Sequence, residues 1–260
     1  MPDVEWNRTV WDRSYAWSRE GDEWSDAWGG ARPQWFGTIY PRISPFLPAR
    51  QILEIAPGFG RWTQFLLRHC EGLVGVDVSE KCVDHCRRRF AAAPAASFFA
   101  NDGTSLAMVP DESIDFVFSF DSLVHAELDV IREYVWQVAQ KLSPAGVAFL
   151  HHSNAEASAD YLESARKNAR ALSVSANRVK ELFEDASCKV LVQEEITWGS
   201  LQRIDCLTTV CRKGVLDDYV STRVENDEFM TEAYFVRSNL APYHAIPIER
   251  AWKAGGHDHP

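Results

Sequence analysis

Gln51-Ile52-Leu53-Glu54-Ile55-Ala56-Pro57-Gly58-Phe59-Gly60 decides the fold of this chain. An apolar run ends in a glycine turn, and the residues that follow predict a helix over 61–70. Seventeen residues beyond Gly60, a second short strand, Gly72-Leu73-Val74-Gly75-Val76, ends on Asp77. Glycines let a backbone approach a ligand closely, and a carboxylate at the next strand end accepts hydrogen bonds from ribose hydroxyls. The pair describes an adenine-nucleoside site in a doubly wound α/β domain.

Working outward, strands and helices keep alternating. Ser79 reads as an N-cap for a helix over 80–90, and a strand over 96–100 leads into Asn101-Asp102-Gly103. A nearly all-apolar strand over 114–120, the pattern of a strand covered on both faces, ends at Asp121-Ser122. A helix over 129–142 and the turn Ser143-Pro144-Ala145-Gly146 precede a strand over 147–150, which runs into His151-His152-Ser153-Asn154. Ser175 predicts a further cap, with its helix ending at Ala186. Two long strands over 189–198 and 203–212 are joined by Gly199-Ser200 as an antiparallel hairpin. The helical crossovers between the early strands are right-handed. The expected architecture is a doubly wound, mostly parallel sheet of seven strands with an antiparallel last strand. It occupies residues 50–213, between an aromatic-rich N-terminal helical lid segment (1–49) and a C-terminal extension (214–260). In that extension His257 and His259 flank Asp258, and the trio reads as a disordered end rather than a metal site.

Composition bounds the partners. With 260 residues, 46% hydrophobic and 25% charged, the chain has the make-up of a soluble globular protein able to bury a sizeable core. A net charge of −10 argues against nucleic acid, which wants a basic face. Arg87-Arg88-Arg89 lies at a predicted helix end, where cations favour the dipole, and reads as a cap rather than a phosphate site. No stretch approaches the roughly 20 apolar residues that span a bilayer, and the charged N-terminus lacks the apolar core of a signal peptide. The six cysteines form no disulfide-framework or zinc pattern, and Cys82 and Cys86, with His85 between them, read as packing on a helix. A cytoplasmic location follows as the expectation.

A dinucleotide fingerprint would place a small third glycine after the turn, whereas Arg61-Trp62-Thr63 stands here. Glu54 sits inside the first strand, placed to meet the loop amides or a water beneath a ligand. Glu54, Asp77 and Asp102-Gly103 fall at successive strand ends and face one crevice. On these residues the chain resembles the class I S-adenosylmethionine-dependent methyltransferases, over about residues 50 to 212. Ala56 replaces the usual first glycine of their glycine-rich motif, a mild departure if the turn has φ below zero there. The resemblance implies S-adenosylmethionine as cofactor, with Ala56, Gly58 and Gly60 near its methionine moiety. It also places Asp77 on the ribose hydroxyls, and Asp102 and Gly103 at the adenine.

Methyl transfer from a sulfonium is an in-line displacement, and a hydroxyl acceptor needs a base or a metal ion. Candidate groups cluster after the fourth and fifth strands: Asp121, His125, His151 and His152. Strand alternation lets only one of His151 and His152 reach the crevice. Asp121 is suited to orient a histidine, hold acceptor hydroxyls or bind Mg²⁺, and spacing does not separate these roles. Trp17, Trp24, Trp28 and Trp35 recur at helical intervals, interrupted by Gly21 and Gly29-Gly30. They serve either as packing or as flat faces for a sugar.

Phe120-Asp121-Ser122-Leu123-Val124-His125, the His-His-Ser-Asn run and Gln193-Glu194-Glu195-Ile196-Thr197-Trp198-Gly199 resemble bacterial methyltransferases of glycan and natural-product pathways. Among these are the actinobacterial sugar O-methyltransferases of methylmannose polysaccharides. That resemblance implies a saccharide hydroxyl, of a mannoside for instance, as acceptor. The open alternatives are N- or O-methylation of a small metabolite, and a non-catalytic cofactor-binding partner protein. The aromatic segment and the tail are equally suited to a homodimer interface.

Overall fold

Residues 51–55 and 114–120 are apolar with few interruptions because the sheet they build is covered on both faces. Ile52, Phe116, Phe118 and Phe149 point into one hydrophobic layer. Leu53, Ile55, Val117, Ala148 and Leu150 alternate with them and point into the other. The computed structural model describes residues 2–158 and 161–246. His257, Asp258 and His259 lie outside the described residues.

The sheet has eight strands in the order β3-β2-β1-β4-β5-β7-β6-β8. They are β1 (Ala49–Ile55), β2 (Cys70–Asp77), β3 (Ala96–Ala100), β4 (Ile114–Ser119), β5 (Leu142–Ser153), β6 (Cys188–Trp198), β7 (Leu201–Arg212) and β8 (Thr222–Asn226). The first five pair in parallel, and β7 lies antiparallel between β5 and β6. Two expectations change. The sheet gains an eighth strand, and the antiparallel strand is not the last. Residues 222–226 pair in parallel with β6, from Val192↔Thr222 to Ile196↔Asn226. This edge strand is exposed, and Val224 is its single apolar residue, flanked by Arg223 and Glu225, so it carries no apolar run. The turn expected at 143–146 is instead absorbed into a longer β5, and the helix after Gly60 shrinks to Thr63–Leu66.

The helices Leu128–Lys141 and Ala176–Asp185 cover one face, the latter capped by Ser175 as its sequence predicts. The other face is covered by residues from both ends of the chain. Gly21, Gly29 and Gly30 have φ of 91°, 84° and 123°, which break the tryptophan segment into short turns rather than one helix. Trp28 and Trp35 are thereby delivered to the core beside Ile52 and Phe118, with Phe229 and Val236 from the C-terminal part. Arg42 ties the ends together. Its guanidinium meets Glu194 of β6 at 2.7 Å and Glu232 of the helix Phe229–Phe235 at 3.0 Å.

Candidate active site

The glycine turn is held from three sides. Asp77 Oδ2 accepts from the Gly58 N–H at 3.0 Å, the Cys86 thiol donates to the Gly58 carbonyl, and Arg89 donates to the Phe59 carbonyl at 2.8 Å. At Gly60, φ is 84°, and a Cβ would fall 2.4 Å from the Phe90 ring, so only glycine fits. At Gly58 the neighbour is Trp17, which a Cβ would meet at 2.7 Å. Ala56 departs from expectation: its φ is +57°, in the left-handed region. It is pinned there by its own N–H on the Val76 carbonyl and by the Ser122 hydroxyl on its carbonyl, at 2.7 and 3.0 Å.

Ala56 and Gly58 open onto a cavity of about 450 Å³, within the ~300–1,000 Å³ range of small-molecule sites, whereas Gly60, expected beside the cofactor, does not line it. Ala56, Gly58, Asp77 and Gly103 line it together with Asp121 and His125. Its roof is the N-terminal segment, through Val4, Trp6, Asn7, Trp11, Trp17 and Trp24. That segment is fastened by Asn7 on the His125 carbonyl at 2.8 Å and by Asp12, which accepts from the Ser79 hydroxyl and, at 3.2 Å, from the Lys81 N–H. Trp17 stacks on Phe59 at 4.3 Å, and Phe59 stacks on His85 at 3.8 Å.

The predicted carboxylates take different positions. Asp77 is buried, and burial pushes its pKa up to about 6 even though it accepts from the Gly58 and Ser79 amides. Glu54 lies beneath the turn rather than on the loop amides. One oxygen accepts from Thr63 Oγ1 at 2.5 Å, the other has no partner among the described residues, and burial raises the pKa to about 8. Asp102 does not line the cavity, because Oδ1 is spent on Thr104 and Ser105 of its own loop.

The three histidines also separate. His125 Nδ1 lies 2.7 Å from the Ala169 carbonyl, which can only accept, so Nδ1 carries the proton and Nε2 keeps a lone pair. Burial, helped by Arg170, lowers the His125 pKa to about 4, so the ring is neutral near pH 7. Neither His151 nor His152 reaches the cavity, contrary to the expectation that one would. Phe120 and Trp198 cover His151 at 4.7 and 5.2 Å. His152 turns the other way, with its ring nitrogens 2.8 Å from the Ser153 carbonyl and the Thr208 hydroxyl.

Asp121 has φ of +62° and pairs with Arg61 at 2.8 Å. Behind it, His151 Nε2 lies 3.4 Å from Asp205, which also accepts from Arg170 at 2.8 Å. Burial works to raise the Asp205 pKa, but Arg170 and His151 outweigh it and hold the carboxyl below its usual range. Spacing could not reveal Arg61, Arg170, Asp205 or Trp198 as neighbours, because sheet pairing and loop return bring them together. Among the described residues no group of three or more His, Cys, Asp or Glu comes together to hold a metal ion, and no helix is long and apolar enough to cross a membrane.

Residues 52–146 match a family described as a methyltransferase domain. Similar solved structures include the N-methyltransferase NodS from Bradyrhizobium japonicum WM9 in complex with S-adenosylhomocysteine. It is 17% identical, covers 81% of this chain and 96% of its own, and has a TM-score of 0.56. An S-adenosylmethionine-dependent methyltransferase from Mesorhizobium loti is 20% identical, covering 69% of this chain and 98% of its own at TM-score 0.53. The PH0226 protein from Pyrococcus horikoshii OT3 is 18% identical, covering 79% and 96% at TM-score 0.54. None of the curated proteins matches the chain by sequence.

Proposed function

We propose that this chain is an S-adenosylmethionine-dependent methyltransferase that methylates a saccharide hydroxyl with His125 as the base, a reading supported by the methyltransferase-domain match over 52–146 and by the shared fold. The residues fit the cofactor: a buried carboxylate, Asp77, stands at the end of β2 for hydroxyls, and Ala56, Pro57 and Gly58 border a nucleoside-sized cavity. When bound, S-adenosylmethionine supplies an electrophilic methyl group on a sulfonium.

His125 carries the reading. His125 lines the cavity, and the Ala169 carbonyl at Nδ1 leaves Nε2 as the ring's proton acceptor. Nε2 of His125 would take the proton of the acceptor hydroxyl as that oxygen is methylated. Trp6 and Trp11 on the roof offer flat faces for C–H stacking, while the Asp121–Arg61 pair offers hydroxyl-directed groups. The roof acts as a lid that shuts out water, since Trp17 and Val4 sit directly on Gly58 and Gly103.

The test is His125→Ala, assayed with a panel of saccharides and S-adenosylmethionine. Loss of the base lowers kcat by about 10²–10⁴-fold for a hydroxyl acceptor. One observation favours a second reading. A histidine with pKa about 4 is a weak base, and a neutral amine acceptor needs little base assistance. Full activity of His125→Ala on an amine would select N-methylation of a small metabolite instead.

A further inference from the structure

Part of the cavity wall is built by residues 167–170, including Lys167 and Arg170. Lys167 is largely exposed and pairs with Glu163 at 2.8 Å, so Arg170 is the cation that bears on the cavity here. Arg170 is only 6% exposed. Its guanidinium sits 5.8 Å from the ring centre of Trp198, and Nη2 donates to Asp205 at 2.8 Å. Its Nε is buried and has no hydrogen-bond partner among the described residues. A guanidinium has five N–H donors in a planar fork, and Asp205, fully buried behind the wall, takes up one nitrogen. Arg61, the other guanidinium on the cavity, is already matched by Asp121 within it.

From the buried, unpartnered Nε of Arg170 on the cavity wall, we infer that the acceptor carries an acidic oxyanion group, a carboxylate or phosphate, gripped by Arg170. The inference rests on this cavity being the acceptor's. An oxyanion presents paired oxygens to the free edge of the fork, which a neutral hydroxyl does not. The sulfonium of the bound cofactor adds positive charge to the same cavity and favours an anionic acceptor further. Asp205 keeps Arg170 in place from behind and leaves the remaining donors for the ligand.

Calorimetry with matched probes tests this, using the full chain with and without S-adenosylhomocysteine. The pairs are glucuronate and glucose, glycerol phosphate and glycerol, and salicylate and salicylamide. The wild type is expected to bind at least one acid about tenfold or more tighter than its neutral partner. Arg170→Gln removes that preference while S-adenosylhomocysteine still binds. If Arg170→Gln fails to fold, Arg170→Lys, which retains a charge for Asp205, is expected to reduce the preference about threefold or more. Equal binding within every pair, binding of no acid, or a preference that survives both substitutions overturns the inference. Equal binding of the two sugars and no acid preference elsewhere leaves the saccharide reading standing. A preference confined to salicylate keeps the oxyanion and removes the saccharide. The glycerol pair separates phosphate from carboxylate recognition.

Discussion

The backbone N–H of Asp121 donates to Nδ1 of His151 at 3.0 Å. That bond fixes His151 with its proton on Nε2, toward Asp205, and it braces a residue whose φ of +62° is unusual for anything but glycine. Strain of this kind persists only where the surroundings over-determine it. Here the surroundings are His151 on the amide side and Arg61 on the carboxylate side. His151 therefore positions Asp121 rather than taking the substrate's proton. His151→Gln is expected to lower kcat roughly 10–100-fold through misplacement of Asp121, with the acid limb of the pH profile unmoved. Movement of that limb would make His151 the base.

On the proposed function, the acid limb is expected to report His125. With a pKa lowered to about 4 by burial, Nε2 stays unprotonated well below the usual histidine range. For a hydroxyl acceptor, kcat/KM is expected to hold level down to about pH 5 and fall below it as Nε2 is protonated. An inflection at the ordinary histidine pKa would contradict this assignment. The profile is read against a pH-insensitive control acceptor or by single turnover.

Glu54 sets an opposite trend in stability. Its folded pKa, raised to about 8 from 4.5, means the folded chain holds this proton more tightly than the unfolded chain. Its contribution is fully present below about pH 4.5 and is lost as pH rises through 8. Glu54→Gln keeps an acceptor for the Thr63 hydroxyl without ionising. The stability of the variant relative to wild type, from urea unfolding, is expected to rise steadily between those limits. A difference independent of pH would refute the shift.

Ala56 tests the turn. A left-handed alanine costs roughly 1–2 kcal/mol over a right-handed one, partly offset in the unfolded chain by the greater freedom of glycine. Ala56→Gly should therefore range from neutral to about 1 kcal/mol stabilising. Ala56→Val should destabilise, because a β-branched residue fits that region worse. Thermal unfolding of the two variants decides the point, and a destabilised glycine variant would deny the positive φ.

Asp77 tests the cofactor end. Asp77→Asn is expected to weaken S-adenosylhomocysteine binding by about 1–3 kcal/mol, the scale of hydrogen bonds to a charged group. Calorimetry reads this directly. Unchanged affinity would place the ribose elsewhere.

The sequence displays the parts of this site that depend on local chain geometry. The turn from Ala56 to Gly60, the carboxylate closing β2 and the caps at Ser79 and Ser175 all have signatures a few residues long. The helices over the sheet follow from their periodicity for the same reason. What escapes notice depends on distant pairing. Strand β8 has no apolar face of its own and exists because β6 offers it an edge. The alternation rule places His151 and His152 on opposite faces, but it cannot show that Phe120 and Trp198 cover the one that faces the site. The sign of φ at Ala56 was equally hidden, since it is imposed by hydrogen bonds from Ser122 and to Val76.

The cavity is divided along the chain. The matched domain, 52–146, contains the turn, Asp77, Gly103, Asp121 and His125, whereas Trp6, Trp11, Trp17, Trp24, Arg170 and Trp198 all fall outside it. On the proposed function, the flanks and the Asp121–Arg61 pair inside the domain together face the acceptor, so the flanks supply part of the selectivity rather than all of it. Substitutions confined to the flanking stretches are then expected to shift acceptor choice while the glycine turn and Asp77 keep their sequence. Chimeras that swap only the roof and the 167–170 wall are the natural way to measure that share.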